Sequence, residues 1–159
     1  MSLITISSIE RITAKRLADM LLAANKQSPD PTIAIVDVRD DDHIGGHIKS
    51  SMHFPSGSLD ATMPTLLRKL ADKQTVIFHC ALSQQRGPAA ALRYLRQKEA
   101  SAASPSLSSA PKERKSETGS AEQQKVYILD RGFVGWQELY GLDERLTEGY
   151  RKELWEDGY

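Results

Sequence analysis

One stretch of the sequence has the residue types and the spacing of an anion-binding nucleophile. The apolar run Thr75–Phe78 ends at His79 and Cys80, and Arg86 follows after five intervening residues. A thiol at the end of a buried strand, just before a helix begins, lies where loop N–H groups and the helix dipole favour negative charge. Thiols in such surroundings are typically reactive thiolates, and an arginine supplies a planar fork that fits a tetrahedral oxyanion. The stretch therefore predicts a cysteine nucleophile beside an oxyanion site.

The composition narrows the classes of protein that remain. The chain has 159 residues, and its 21 Lys and Arg balance 21 Asp and Glu, so nothing favours a nucleic-acid partner. Cys80 is the single cysteine, which excludes an intrachain disulfide and a multi-cysteine zinc cluster. No stretch approaches the roughly 20 apolar residues of a membrane span. We expect a soluble protein of the cytoplasm, the nucleus or both, without a metal or membrane partner.

The apolar periodicity predicts strands that alternate with helices. The predicted strands are Leu3–Ser7, Thr32–Val38, Met52–Phe54, Thr75–His79 and Lys125–Leu129. The predicted helices are Ala14–Ala24 with Thr13 as N-cap, Leu59–Leu70, Arg86–Gln97 and a short helix within Asp130–Gly141. This order is typical of an α/β fold, with a parallel sheet between helices and ligands at the carboxyl ends of the strands. Cys80 and the acidic segment at 37–42 both follow such ends.

Two segments differ from this pattern. Residues 99–124 are rich in Ser, Ala, Lys, Glu and Pro, and Leu107 is their one large apolar residue. We predict a disordered insertion there, within a single domain that spans 1–159. The charged tail 142–159 carries residues at helical spacing that would pack back on the domain: Leu146, Tyr150, Leu154 and Trp155.

Several motifs in this chain resemble those of the rhodanese family. They are Val36–Asp40 (VDVRD), Gly45–Pro55 (GGHIKSSMHFP), the strand, cysteine and loop around Cys80, and Ile128–Gln137 (ILDRGFVGWQ). Their order and spacing match the family over nearly the whole chain except the insertion. The resemblance implies a rhodanese-like three-layer fold, with a central parallel sheet flanked by helices.

The loop itself, His79–Pro88 (HCALSQQRGP), indicates a branch of that family. It resembles the cell-division-cycle dual-specificity phosphatases, and more closely the small eukaryotic arsenate reductases and their phosphatase relatives in fungi and plants. In sulfur-transferring rhodaneses this loop is typically one residue shorter. The longer loop implies a wider cradle, which would hold a tetrahedral phosphate or arsenate.

The resemblance implies a phosphatase of the protein-tyrosine or dual-specificity type that acts on a phosphorylated protein. Cys80 would attack phosphorus and form a cysteinyl-phosphate, while Arg86 would stabilise the phosphate oxygens. The amides of the residues between them would form the oxyanion-binding loop: Ala81, Leu82, Ser83, Gln84 and Gln85. The Ser83 hydroxyl could also donate to the thiolate.

The proton donor for the leaving group is less evident, because the loop has no acid. The cell-cycle phosphatases carry a glutamate where this chain has Gln84 and Gln85. The candidates for the general acid are Asp40, Asp41 and Asp42, although a run of aspartates after a strand is often a solvated turn. We assign Asp37 and His79 to loop support, with Asp37 orienting the loop or pairing with an arginine.

Three alternatives stay open at this point. A glutathione-dependent arsenate reductase would need no bound cofactor, but it would use glutathione as co-substrate and glutaredoxin as partner, because the chain has no second thiol. A non-catalytic module could use the cradle to recognise a phosphorylated protein. A thiosulfate sulfurtransferase is disfavoured by the loop length. Among the histidines, His43, His47 and His53 surround the Gly45–Gly46 turn, where a turn-stabilising role for His47 is favoured over metal binding.

Overall fold

The fold is built on a central sheet of five parallel strands, in a computed structural model that describes residues 5–24, 32–102 and 124–156. The strands of this sheet are β1 (Glu10–Ile12), β2 (Ile33–Asp37), β4 (Met52–His53), β5 (Thr75–His79) and β6 (Lys125–Leu129). A separate antiparallel pair consists of β3 (His47–Ile48) and β7 (Thr147–Glu148). The helices are α1 (Ala14–Ala24), α2 (Leu59–Leu70), α3 (Arg86–Ala102), α4 (Gly132–Tyr140) and α5 (Lys152–Glu156).

The strand order is β1-β6-β5-β2-β4, which puts β5 at the centre. In the register between β2 and β5, Asp37 lies opposite His79. The segments that follow Asp37 and His79 therefore leave the sheet side by side. These are the acidic segment and the loop that begins at Cys80, so the topology brings the two together.

Helices cover both faces of the sheet, because successive residues of each central strand point to opposite sides. Val36 and Phe78 pack with residues of α2 and α3, among them Leu66 and Tyr94. Ile77 packs on the other side against α1 and α4, in a cluster with Leu17, Phe133 and Trp136. The α/β class and the three layers predicted from the sequence are confirmed.

Most of the predicted elements agree with the structure. The bounds of α1, α2, β5 and β6 are the predicted ones, and the Thr13 hydroxyl accepts a hydrogen bond from the Arg16 N–H at 3.1 Å as an N-cap. The predicted strand Leu3–Ser7 is wrong within the described residues: Ile6–Ser8 forms a 3-10 turn, and the edge strand is β1. Reciprocal hydrogen bonds between Thr5 and Ser8 close this turn, which overrides the alternating pattern.

The two segments with unusual composition are partly described. α3 continues to Ala102, so the beginning of the predicted insertion is helical, and residues 103–123 lie outside the described residues. The side-chain amide of Gln124, the next described residue, donates to the carbonyls of Leu70 and Lys73 at 2.8 and 2.9 Å.

The segment 142–156 packs on the domain. Leu146 is buried, and the Trp155 indole N–H donates to the Gly45 carbonyl at 3.0 Å. Residues 157–159 of the predicted tail lie outside the described residues. No helix in the described part of the chain is long and apolar enough to cross a membrane.

Candidate active site

Cys80 lies at the carboxyl end of β5, on the floor of a shallow cavity. Its side chain is 3% exposed. The Sγ atom accepts hydrogen bonds from the backbone N–H of Ser83 at 3.2 Å and of Gly87, in the first turn of α3, at 3.3 Å. Donors that converge on a sulfur atom favour its anionic form, as does the amino end of a helix. Two backbone donors and the amino end of α3 thus converge on the sulfur.

The cavity above the sulfur has a volume of about 280 Å³. It is lined by Cys80, Ala81, Leu82, Gln84, Gln85 and Arg86. Ser83, which is fully buried, lies beneath this surface. The structure thus brings the predicted nucleophile, the predicted loop and the predicted arginine to one opening.

The loop is held in place by the start of α4, whose N–H groups donate hydrogen bonds to two carbonyls of the loop. The carbonyl oxygens of Cys80 and Ala81 accept hydrogen bonds from the N–H groups of Phe133 and Val134, both at 2.9 Å. Gly132 has φ +55°, and a Cβ atom there would lie 2.5 Å from both carbonyl oxygens. Only glycine permits this approach, so Gly132 is part of the support of the loop.

A second support, at Ser83, was not predicted from the sequence. Ser83 has φ +58°, a left-handed conformation that is strained for a residue with a side chain. Its carbonyl accepts a hydrogen bond from Nη2 of Arg11 at 3.1 Å, and Arg11 also lies 3.5 Å from Asp130. Arg11 is remote in sequence and half exposed on an edge strand, so no local pattern indicates its role. The group of Ser83 that donates to the sulfur is its N–H, whereas its buried hydroxyl has no hydrogen-bond partner among the described residues.

Beneath the loop, Asp37 and Arg39 form a fully buried ion pair. Nε and Nη2 of Arg39 donate to Oδ1 and Oδ2 of Asp37 at 3.0 and 2.7 Å. Nη2 also donates to the Gly46 carbonyl at 2.9 Å, and the guanidinium lies 4.4 Å from the centre of the Phe133 ring. Burial alone would raise the pKa of Asp37, but the charge that His79 acquires in acid, the hydrogen bonds from Arg39 and the charge of Arg39 outweigh burial and lower the pKa to about 2.

His79 lies between this pair and the nucleophile. Its Nδ1 is 3.1 Å from the Cys80 carbonyl oxygen, and its Nε2 is 3.7 Å from Oδ2 of Asp37. Burial lowers the pKa of His79 against the opposing pull of Asp37, so the imidazole is neutral at neutral pH and Nδ1 donates to the carbonyl. The positive charge that balances Asp37 is therefore that of Arg39. His79 contacts the backbone of Cys80 and does not line the cavity.

At the rim of the cavity, Arg86 is paired with two of the three aspartates. Its Nη1 and Nη2 donate to Oδ1 and Oδ2 of Asp42 at 2.8 and 2.6 Å, and Nη1 also donates to Asp40 at 3.2 Å. Asp40 in turn accepts hydrogen bonds from the Ser56 hydroxyl at 2.6 Å and the Gly57 N–H at 2.8 Å. Asp41 is exposed.

These contacts determine the charge of the rim. The hydrogen bond from Arg86 outweighs burial and lowers the pKa of Asp42 to about 2, and the pKa of Arg86 is raised. The hydrogen bond from Ser56 is the main cause that lowers the pKa of Asp40. Both aspartates are carboxylates at neutral pH in this arrangement, so neither holds a proton for a leaving group. The assignment of a general acid stays a prediction, and this geometry does not favour Asp40 or Asp42 in that role.

The histidines near the Gly45–Gly46 turn are used in local structure. The rings of His43 and His53 stack with centroids 3.8 Å apart, and Nε2 of His53 lies 2.6 Å from the Arg39 carbonyl. His47 lies 3.1 Å from Glu148, across the pair of β3 and β7. Within residues 5–24, 32–102 and 124–156, no group of three or more His, Cys, Asp or Glu side chains is placed to hold a metal ion.

This combination of fold and loop matches a known family. The family model of the rhodanese-like domain matches residues 13–139, and the chain belongs to the rhodanese family. Within that family its relatives include Cdc25-like phosphatases and plant arsenate reductases.

Three curated relatives are informative. The chain is 37% identical over 132 residues to the Saccharomyces cerevisiae protein named CDC25-like phosphatase YCH1, and the match spans 76% of this chain and 76% of the relative. It is 41% identical over 108 residues to the Arabidopsis thaliana dual specificity phosphatase Cdc25, where the match spans 67% of this chain and 63% of the relative. It is 37% identical over 131 residues to arsenate reductase 2.1 of Oryza sativa, covering 82% of this chain and 68% of the relative.

Two solved structures show the same fold. The structure of Ygr203w, described as a yeast protein tyrosine phosphatase of the rhodanese family, has 31% identity and a TM-score of 0.70, with 97% of this chain and 99% of that chain covered. The As-Sb reductase of Leishmania major has 25% identity and a TM-score of 0.58, with 87% and 84% covered. The relatives thus carry names from both of the chemistries that the loop suggests.

Proposed function

We propose that this protein is a phosphatase of the protein-tyrosine or dual-specificity type that forms a cysteinyl-phosphate on Cys80. The observation that carries the proposal is the geometry of the sulfur. Sγ receives two backbone hydrogen bonds on the floor of an open cavity, and Arg86 stands at the rim of the same cavity. Neither a structural thiol nor a surface arginine requires this combination.

The reaction would proceed in two steps. Sγ of Cys80 attacks phosphorus in line, the bond from phosphorus to the leaving oxygen breaks, and Arg86 with the loop amides stabilises the phosphoryl oxygens. Water then attacks phosphorus, the sulfur–phosphorus bond breaks, and orthophosphate and the thiolate are released. Because Asp40 and Asp42 are ionised, we expect the fastest turnover for aryl phosphates, whose leaving groups need little protonation.

A second candidate is an arsenate reductase, and the lack of a protonated acid at the described site favours it. Arsenate carries its own protons at neutral pH, so the oxygen that leaves when sulfur bonds to arsenic can depart as water. A glutathione thiolate would then attack Sγ, the sulfur–arsenic bond would break with its electron pair on arsenic, and arsenite and a mixed disulfide on Cys80 would form. A glutaredoxin with a second glutathione would restore the thiol.

The proposed substrates and partners follow from these two reactions. The phosphatase would act on a phosphorylated protein. The reductase would act on arsenate, with glutathione as its co-substrate. Neither reaction requires a bound cofactor. Both fit the cytoplasm or the nucleus, where glutathione keeps thiols reduced.

Assays of the purified protein would separate the candidates. Wild type and Cys80→Ser are compared on an aryl phosphate, on arsenate with glutathione and glutaredoxin, and on thiosulfate with cyanide. We expect turnover of at least one oxyanion by the wild type and none by the variant. Activity that survives in Cys80→Ser would overturn the nucleophile. Turnover of thiosulfate alone would identify a sulfurtransferase, and binding of a phosphopeptide without any turnover would identify a recognition module.

A further inference from the structure

We propose that Asp42, assisted by Asp40, is a positioning residue that holds one edge of the Arg86 guanidinium and leaves the other edge for the oxyanion. This inference rests on the proposed function. Asp40 and Asp42, which the sequence analysis considered as general acids, are given a different role.

A guanidinium has five N–H groups: two on each Nη and one on Nε. Three of those on Arg86 are used, two on Nη1 and one on Nη2. Asp42 spans the end of the fork and takes one from each Nη, so the second Nη1 group goes to Asp40. The groups that remain are those of Nε and of the side of Nη2 nearest to it, and neither donates in any hydrogen bond found for the described residues.

These two remaining groups point in the same direction, because they lie on one edge of a planar fork. Such an edge binds two oxygens of a tetrahedral oxyanion at once, as the end of the fork binds the two oxygens of a carboxylate. Arg86 itself lines the cavity above Cys80. Asp42 therefore takes the edge that the substrate does not need and restricts the rotation of the side chain.

Asp40 and Asp42 are themselves fixed by further hydrogen bonds. Asp40 accepts hydrogen bonds from the Ser56 hydroxyl and from the Gly57 N–H, and its own N–H donates to Oδ1 of Asp42 at 2.9 Å. The Arg86 side chain, which is 33% exposed, is thereby fixed from the side of β2 although it belongs to α3. Preorganisation of this kind lowers the cost of ordering a long side chain when the substrate arrives.

The central test measures oxyanion affinity with orthophosphate, both as a competitive inhibitor of aryl phosphate turnover and by calorimetry. We expect Asp42→Ala to weaken orthophosphate binding and raise KM by about 10- to 100-fold, the size of effect that misplacement of a reacting group has. In an Arg86→Ala background the same change should have no further effect. Tighter binding of orthophosphate by Asp42→Ala would overturn the inference, because Asp42 would then be a competitor of the substrate.

A series of leaving groups separates positioning from proton donation. The loss in Asp42→Asn should be the same for p-nitrophenyl, phenyl and alkyl phosphates, because Arg86 binds the phosphoryl oxygens and not the leaving group. A loss that grows as the leaving group becomes more basic would identify Asp42 as the general acid and overturn the inference.

Asp143 provides a matched control. Its carboxylate accepts from Nε and Nη2 of Arg145 at 3.1 and 2.9 Å, and its side chain is 25% exposed, close to the 27% of Asp42. Asp143→Ala therefore removes a similar ion pair whose residues do not line the cavity, and it should leave orthophosphate affinity unchanged. If wild type binds orthophosphate and Asp42→Ala binds it equally well, the inference fails and the proposed function stands. If wild type neither binds orthophosphate nor turns over any oxyanion, both fail.

Discussion

Two aspartate–arginine pairs lie within the same site, with nearly the same geometry and very different surroundings. In the pair of Asp37 and Arg39 the shortest contact is 2.7 Å and both side chains are at most 1% exposed. In the pair of Asp42 and Arg86 the shortest contact is 2.6 Å, but the side chains are 27% and 33% exposed. Contact distance therefore does not distinguish them, whereas burial does. The buried pair is part of the scaffold, and the rim pair holds the Arg86 side chain at the cavity.

The largest difference should appear in stability. Arg39→Ala leaves the Asp37 carboxylate buried without its partner, so we expect a loss of about 3–5 kcal/mol in the free energy of unfolding. Asp42→Ala breaks a partly exposed pair and should cost about 0–1 kcal/mol. Urea denaturation of both variants measures the two values. Equal losses would show that burial does not separate the pairs.

The second prediction concerns the loss of stability at low pH. The pKa of Asp37 is lowered from 3.8 to about 2, so this group stabilises the fold at pH values above about 4, and the stabilisation is lost as the pH falls towards 2. At 1.36 kcal/mol per pKa unit the loss is about 2 kcal/mol. Denaturation curves at several pH values should show it in wild type and in Asp42→Asn. The charge-free double variant Asp37→Asn/Arg39→Met should lack most of it, and the same slope in that variant would assign the effect to other carboxyls.

The third prediction concerns the close approach of Gly132 to the cysteine loop, and whether disturbing it lowers both stability and activity. Gly132→Ala would place a Cβ 2.5 Å from the carbonyls of Cys80 and Ala81, at a position with φ +55°. Gly149 has φ +68°, but a Cβ there would find its nearest neighbour at 3.9 Å. Gly149→Ala thus supplies the backbone strain alone, about 1–2 kcal/mol. We expect Gly132→Ala to cost more than this and to lower kcat/KM as well, whereas Gly149→Ala should leave kcat/KM unchanged.

The smallest effect is expected at Arg11. Arg11→Met removes the hydrogen bond to the carbonyl of Ser83, and a half-exposed hydrogen bond contributes about 1 kcal/mol. Orthophosphate binding should weaken by a few-fold at most, and the melting temperature should fall by no more than about 4 °C. Asp130→Asn keeps the bond between Arg11 and Ser83 and serves as the control. If both variants weaken binding equally, the charge at this position matters and the support of the loop does not.

Periodicity and spacing made much of this site predictable. The bounds of α2 and β5 follow from helical spacing and from a short β-branched apolar run, because each reports which faces are buried. The combination of Cys80 and Arg86 is local in sequence, so the motif alone locates the cavity. The partnership of Asp37 was predicted only as far as a pairing with some arginine, and its neighbour Arg39 was not named.

What could not be predicted depends on contacts between distant segments. Arg11 reaches Ser83 across 72 positions, and the rim pair joins α3 to the turn after β2 over 44 positions. The aspartates were considered as acids because sequence shows a carboxyl group but not its partner, and the partner determines the charge. The error at Leu3–Ser7 has the opposite origin, since a local capping interaction there replaces the alternating pattern.

The contacts of Phe133 and Trp155 have a consequence for the order in which the molecule can mature. Phe133 donates to the Cys80 carbonyl and lies under Arg39, and its ring packs 5.7 Å from that of Trp155, which binds the Gly45 carbonyl. During synthesis the ribosome releases the cysteine loop well before it releases these two aromatic residues. A nascent chain would therefore expose its thiol before the supports of the loop exist. Reactivity towards substrate should therefore arise only after α4 and α5 have docked.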